Sequence, residues 1–246
     1  GARLEAENIR PFYGCPRVLG LGEVMSYHAV AAGDAGLLRK IDDALSRGLV
    51  VNGHAPLLSG KELDRYIAAG VGDDHECSSA EEAMERLRKG QHILIREGTA
   101  ARNLESLLPL FDEPFAGRCL LVTDDRHPAD LVEQGHIDDI IRKAAAAGKD
   151  PVTGIRMATI QAAEYFGLRR MGAVAPGYRA DLLVLDDLES VAVRDVYHAG
   201  KKVVSKGRVL PFAQPETDPE LQRIVCGSFH MKELAGEDFQ KGGLAG

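Results

Sequence analysis

Short apolar runs alternate with amphipathic helical periods over the first two thirds of the chain, and nothing else in the sequence narrows its fold as much. The runs are Arg17 to Met25, Leu49 to Gly53, a brief one near Gly70 to Asp74, His92 to Arg96 and Arg118 to Asp124. Between them, residues recur on one face of a 3.6-residue period: Leu37, Leu38, Ile41 and Leu45; Leu63, Tyr66 and Ile67; Met84 and Leu87; Leu104, Leu107 and Leu108; Ile137, Ile140, Ile141 and Ala144. Ser59 and Ser79 read as helix N-caps, with Glu62 and Glu82 three residues on as capping-box partners. Gly48, Gly70, Gly90 and Gly148 stand where helices are expected to stop. Joins this short between strand and helix require crossover connections, and so a parallel sheet.

Five strand–helix units are visible, whereas a closed (β/α)8 barrel needs eight. The expected fold is therefore α/β: a partial (β/α)8 TIM-like barrel, its C-terminal five strands, over residues 1–171. The chain opens on a partial helix, Leu4 to Ile9, and reads as a piece of a longer protein that begins upstream of Gly1. An open doubly wound sheet competes, but GLGE at Gly20 to Glu23 is too short to cradle a phosphate. A helix is expected around Ile155 to Gly167. From Gly172 to Leu210 short strands joined by polar turns predict a small antiparallel β-module. Residues 211–246, rich in Pro, Glu, Gly and Asp, read as a linker or the start of a further domain.

With 45% hydrophobic residues in 246, the chain can bury a real core, which excludes disorder as its main state. Its net charge of −7 argues against a nucleic-acid partner, and no apolar run approaches the roughly 18 residues of a membrane span. Cys15, Cys77, Cys119 and Cys226 form no CxxC pair, and no signal peptide is visible, which fits reduced thiols in a cytoplasmic protein.

The chemistry is expected at the carboxyl ends of the strands, where parallel barrels hold their active sites. Those ends carry Glu23; Gly53-His54; Asp73-Asp74-His75-Glu76; Arg96-Glu97; and Thr123-Asp124-Asp125. Steps of 31, 21, 21 and 28 residues lead from Glu23 through His54, His75 and Arg96 to Asp124, each about one βα unit. A lone His or Asp at a strand end is more often a turn or cap residue than a ligand; several in register at one rim are harder to dismiss. Imidazole and carboxylate together suit Zn, Fe, Mn or Ni rather than Ca. Such a centre makes hydroxide available at neutral pH, and a neighbouring carboxylate can shuttle its proton, which points to metal-assisted hydrolysis of a C–N bond. Neither HExxH nor the HxE…PCxxC signature of zinc nucleobase deaminases occurs. The charged run Glu81-Glu82 with Glu85-Arg86 reads as a solvated helix face.

RVLGLGEVM, NGHAP, GVGDDHECSSAEEA, LIREGTAARNL, LLVTDDRHPADL and GLRRMGAVAPGYRADLLVLDDL, in that order, resemble the adenine deaminases of the amidohydrolase superfamily from about Asn8 to Leu210. The order GEVM, GHAP, DHE, TDDRHP is specific to that family; GAVAPGYRADLLVLD alone marks only the superfamily's β-module. The resemblance implies hydrolysis of adenine to hypoxanthine and ammonia in a distorted barrel, with a divalent metal, Mn or Fe first and Zn as the alternative. It makes Glu23, His54, His75 and Asp124 metal ligands, with Glu23 and Asp124 also catalytic and Asp124 the proton shuttle. Arg96, Glu97 and His127 are candidate substrate contacts; Asp125 and Glu76 rank second. Asp124 is preferred to Asp125 as the first acid after its strand. His28 is a weaker site candidate, and His92, His136, His198 and His230 read as structural or solvated. Cys119 reads as strand core, and Cys77 lacks a base to make it a nucleophile.

The family's strand-one HxH is absent from this sequence, so the resemblance puts it upstream. A site short of two ligands is expected to hold metal loosely and the isolated chain to be weakly active or inactive. Expected partners are adenine, neither nucleic acid nor membrane, and further copies of the chain in a homo-oligomer. The alternatives are another amidohydrolase reaction, on a cyclic amide or N-acetyl group, and an inactive fragment that keeps only the fold.

Overall fold

A computed structural model of the chain describes residues 4–213, 216–228, 230–231 and 233–239. It divides into two compact units, Gly1–Val209 and Leu210–Gly246.

In the first unit, α1 (Ala6–Ile9) and a 3-10 turn precede β1 (Gly20–Val24), α2 (Tyr27–Ala31) and α3 (Ala35–Leu45). Then come β2 (Val50–Gly53), α4 (Gly60–Ala68), β3 (Asp73–Asp74), α5 (Ala80–Arg88), β4 (His92–Arg96), α6 (Leu104–Leu107) and β5 (Cys119–Val122). Helices α7 (Pro128–Glu133), α8 (Ile137–Ala146), α9 (Pro151–Ala158) and α10 (Ile160–Tyr165) follow. The helix expected around Ile155 to Gly167 is broken between α9 and α10, where Thr159 leaves helical geometry with φ −127° and ψ −92°.

The first five strands run parallel. β1 pairs with β2, and β3, β4 and β5 form one ladder in that order. Between β2 and β3 the Gly72 amide donates to the Val51 carbonyl at 2.9 Å and the Gly53 amide to Asp73 Oδ1 at 2.8 Å. A side chain at Gly53 would put its Cβ 2.0 Å from the Asp73 carbonyl oxygen, so only glycine lets the two strand ends come this close.

The core is in two parts. Val24, Ile41, Val51, Leu63 and Tyr66 pack β1 and β2 against α3 and α4. Ile93, Ile95, Cys119 and Leu121 pack β4 and β5 against helices that supply Leu87, Leu107, Ile140, Ile141 and Met157. Leu94 and Leu120, on the opposite face, are also buried, as parallel strands covered on both sides require. The expected helix stops are observed, with φ of +101° at Gly70 and +100° at Gly90. Ser79 caps α5 by accepting from the Glu82 amide at 3.2 Å. The capping box expected at Ser59 does not form: its side chain makes no cap bond, and Glu62 lies 3.5 Å from His28 on the surface.

Strands β6 (Leu182–Leu185), β7 (Val193–His198), β8 (Lys201–Ser205) and β9 (Arg208–Val209) form an antiparallel meander. Its two tight hairpins turn on Ala199-Gly200 and Lys206-Gly207, where all four residues have φ between +48° and +81°. Two consecutive positive φ values match the right-handed twist of the flanking strands. In the second unit, α11 (Pro219–Gly227) is capped by Asp218 and leaves Leu221, Ile224 and Val225 exposed. Among the described residues, no helix is long and apolar enough to cross a membrane.

Candidate metal centre

The first three strands end on the same corner. Glu23 lies near the end of β1, His54 follows β2 and His75 follows β3. Glu23 Oε2 lies 2.9 Å from His54 Nδ1 and 3.2 Å from His75 Nε2, and the two imidazole nitrogens face each other at 3.4 Å. Glu76, ranked second on sequence, enters the same corner: its Oε1 is 3.5 Å from His54 Nδ1 and 3.3 Å from His75 Nε2. Asp124 Oδ2 accepts from Arg96 Nη1 at 2.9 Å, and the same nitrogen donates to Glu76 Oε1.

The four expected ligands do not all meet at one point. Together with Glu76 they form two overlapping groups, Glu23–His54–His75 and His75–Glu76–Asp124, in each of which the donor atoms lie within 4.8 Å of one another. An imidazole nitrogen carries at most one proton, yet here two of them share several acceptors. Nitrogen and oxygen lone pairs aimed at one place are the chemistry of a divalent-cation site, so the donor set fits a metal.

Buried groups hold this corner. Tyr66, from α4, accepts from the His54 amide at 3.0 Å and donates to the Val24 carbonyl at 2.8 Å, tying the end of β2 to that of β1. Burial pushes its phenol well above the usual range. Asp73 is fully buried and accepts from the Gly53 amide, Asn52 Nδ2 and the Tyr165 hydroxyl. Burial raises its carboxyl against the pull of those three donors. Asp74 and Arg86, both with fully buried side chains, pair at 2.6 Å. This corrects the reading of the Glu81 to Arg86 run as a solvated face: Glu81 is exposed, but Glu82 and Arg86 turn inward to Asp74 and to the loops after β2 and β3. Only the position of Asp73-Asp74 directly before His75 marked this region in the sequence; nothing local marked Arg86 or Tyr66 as more than face residues.

Other rim candidates go elsewhere. Arg96 is bound to Glu76, Asp124 and Asn103. Burial works against its charge, and the two carboxylates more than offset that. Glu97 leaves the cluster: it accepts from Lys143 Nζ at 3.0 Å and the Leu104 amide at 3.3 Å, lining a separate cavity with Arg102, Glu105 and Leu108. Asp125 turns back to the Ala100 amide at 2.9 Å, which holds its carboxyl below the usual range. His127 caps α7, its Nδ1 accepting from the Ala129 amide at 3.2 Å. Among the described cysteines none is paired; Cys77 and Cys119 are buried, and burial raises both thiols, Cys119 to about 12.

Comparison with known proteins bears on the family and the fold. Over 211 residues the chain is 49% identical to an adenine deaminase of Desulfatibacillum aliphaticivorans, covering 86% of this chain and 37% of that one. It is 46% identical over 237 residues to adenine deaminase 2 of Carboxydothermus hydrogenoformans, covering 96% and 40%. The chain thus spans well under half the length of these curated relatives. Among solved structures, a β-aspartyl dipeptidase of Fervidobacterium islandicum AW-1 superposes with a TM-score of 0.65 at 18% identity, covering 84% of this chain and 61% of that one. That likeness shows an α/β fold of the TIM-barrel type. Residues 14–210, which hold every residue of the corner, match the Amidohydrolase family, and the chain belongs to that family.

Proposed function

We propose that this chain carries the metal-holding and proton-handling part of an adenine deaminase, with β1 to β5 as the C-terminal five strands of an eight-stranded barrel. The reaction is the addition of water to adenine with loss of ammonia, leaving hypoxanthine. The observation that carries the reading is the convergence of Glu23, His54 and His75 from three successive strand ends, in a chain 49% identical to a curated adenine deaminase over 211 residues.

Glu23, His54 and His75 would hold a divalent metal, Mn or Fe ahead of Zn, with Glu76 and Asp124 bordering it through His75. A metal bound there lowers the pKa of water to about 7. Asp124 carries a proton from water towards the departing amino group; its support is that one carboxylate oxygen is tied to Arg96 while the side chain stays 41% exposed. Glu76, held by Arg96, sets the negative charge facing both imidazoles. Arg96 is in this reading the holder of two carboxylates rather than a substrate contact, and Glu97 and His127 take no part in the chemistry.

The test is a chimera in which this chain replaces the aligned segment of the Desulfatibacillum aliphaticivorans enzyme, loaded with Mn2+ and followed by ultraviolet absorbance. Conversion of adenine to hypoxanthine is expected, and Glu23→Gln or His75→Asn should abolish it together with bound Mn2+. A folded, Mn2+-loaded chimera that leaves adenine intact would overturn the reading.

A further inference from the structure

Arg86, Asp74 and Glu82 touch none of the proposed ligand side chains, yet they hold the backbone on both sides of them. Arg86 Nε bonds Asp74 Oδ2 at 2.6 Å, and its Nη2 donates to the Ala55 carbonyl at 2.6 Å. Asp74 Oδ1 accepts from the Glu76 amide at 2.9 Å and the Ala55 amide at 3.4 Å. Glu82 pairs with Arg86 at 3.1 Å and accepts from the Leu57 and Ser78 amides, each at 2.9 Å. Ala55 and Leu57 belong to the loop of His54; Glu76 and Ser78 belong to the loop of His75. Five backbone groups of two separate loops are thus satisfied by three side chains.

A buried ion pair is a poor way to gain stability, because desolvating both charges offsets most of their attraction. Apolar residues of similar volume would fill the same space but could not grip two loop backbones. Arg is suited to the task, since its planar fork bonds Asp74 with one nitrogen and Ala55 with another. We propose that Asp74, Arg86 and Glu82 form a clamp that positions His54 against His75 and so sets the divalent-cation affinity of the corner without contacting the cation. This rests on the reading of the corner as a metal site.

The experiment titrates Mn2+ into the chimera described above with the wild-type segment and with Arg86→Lys, Glu82→Ala or Ile140→Val in it, with thermal unfolding of each metal-free protein alongside. Lysine keeps a charge opposite Asp74 but cannot also fork to the Ala55 carbonyl. Arg86→Lys is expected to weaken Mn2+ binding about 10–100-fold, as loss of a ligand's support does elsewhere. Glu82→Ala should weaken it by a smaller factor in the same direction. Ile140→Val, a mild destabilisation in the other core, should leave affinity unchanged. A folded Arg86→Lys protein that binds Mn2+ like wild type would overturn the clamp; if that variant does not fold, the same comparison on Glu82→Ala decides. Absence of Mn2+ binding by the wild-type chimera would instead overturn the metal reading and the clamp with it.

Discussion

The corner at the ends of β2 and β3 and the rim beyond β5 begin from the same materials: acids and histidines just past parallel strands. At the corner, His54 and His75 turn their ring nitrogens towards each other and towards Glu23. Beyond β5, Asp125 and His127 spend their side chains on backbone amides, Ala100 in the loop after β4 and Ala129 at the start of α7, and only Asp124 faces the cluster. The difference lies in who satisfies the loop backbone. At the corner Tyr66, Asp73, Asp74, Arg86 and Glu82 take the loop amides and carbonyls, which leaves the histidines free for one another. Beyond β5 buried Arg126 pairs with Asp139 and donates to the Glu97 carbonyl, and Thr99 Oγ1 accepts from the His127 amide, yet Asp125 and His127 still bond backbone amides with their own side chains.

The sharpest way to break the contrast is Gly53→Ala. Its Cβ would meet the Asp73 carbonyl at 2.0 Å and Val71 Cγ1 at 2.9 Å, so β2 and β3 must part. We expect a loss of about 1–3 kcal/mol or more, read by urea unfolding, together with weaker Mn2+ binding. An unchanged unfolding midpoint would show that the corner is not close-packed. On the rim, His127→Ala removes only a cap and should cost about 1 kcal/mol with Mn2+ affinity unchanged. A fall in affinity there would place His127 in the site and erase the contrast.

A pH-dependent effect belongs to the far end of β4, under the corner. His92 packs against Tyr165 with ring centroids 4.5 Å apart and the rings tilted by 46°, and Tyr165 donates to Asp73. Burial, helped by the Arg118 charge, pushes the His92 imidazole down to about 4. It is therefore neutral in the folded protein, while in the unfolded chain it titrates near 6.5. Stability is full above about 6.5 and declines as pH falls towards about 4, because the unfolded state gains the proton first. His92→Phe should flatten that decline, measured as urea midpoints between pH 7 and 4; parallel curves for the two proteins would refute it.

Much of the frame was legible. His92 to Arg96 is a strand over its expected span, and Leu104, Leu107, Ile140 and Ala144 are buried as their period predicts. Glu23, His54 and His75 could be singled out because strand ends are local features and parallel strands put them on one side. Where Glu97 and His127 turn their side chains was not legible, since the Lys143 that pairs with Glu97 lies 46 residues away and helix capping depends on how the chain leaves the strand. The helix face of Glu82 and Arg86 was misread for a related reason. Its charges look solvated until Asp74 and the two loops close over them.

By itself the sequence determined the alternation of strand and helix, their order, and which residues stand at the strand ends, because hydrophobic period and backbone stops act within a few residues. Only the tertiary structure decided that Glu23, His54 and His75 meet, that Asp124 joins through His75 rather than directly, and that Arg86 is buried. Those outcomes depend on which backbone groups from distant segments remain to be satisfied once the sheet has closed, and no stretch of sequence carries that information alone.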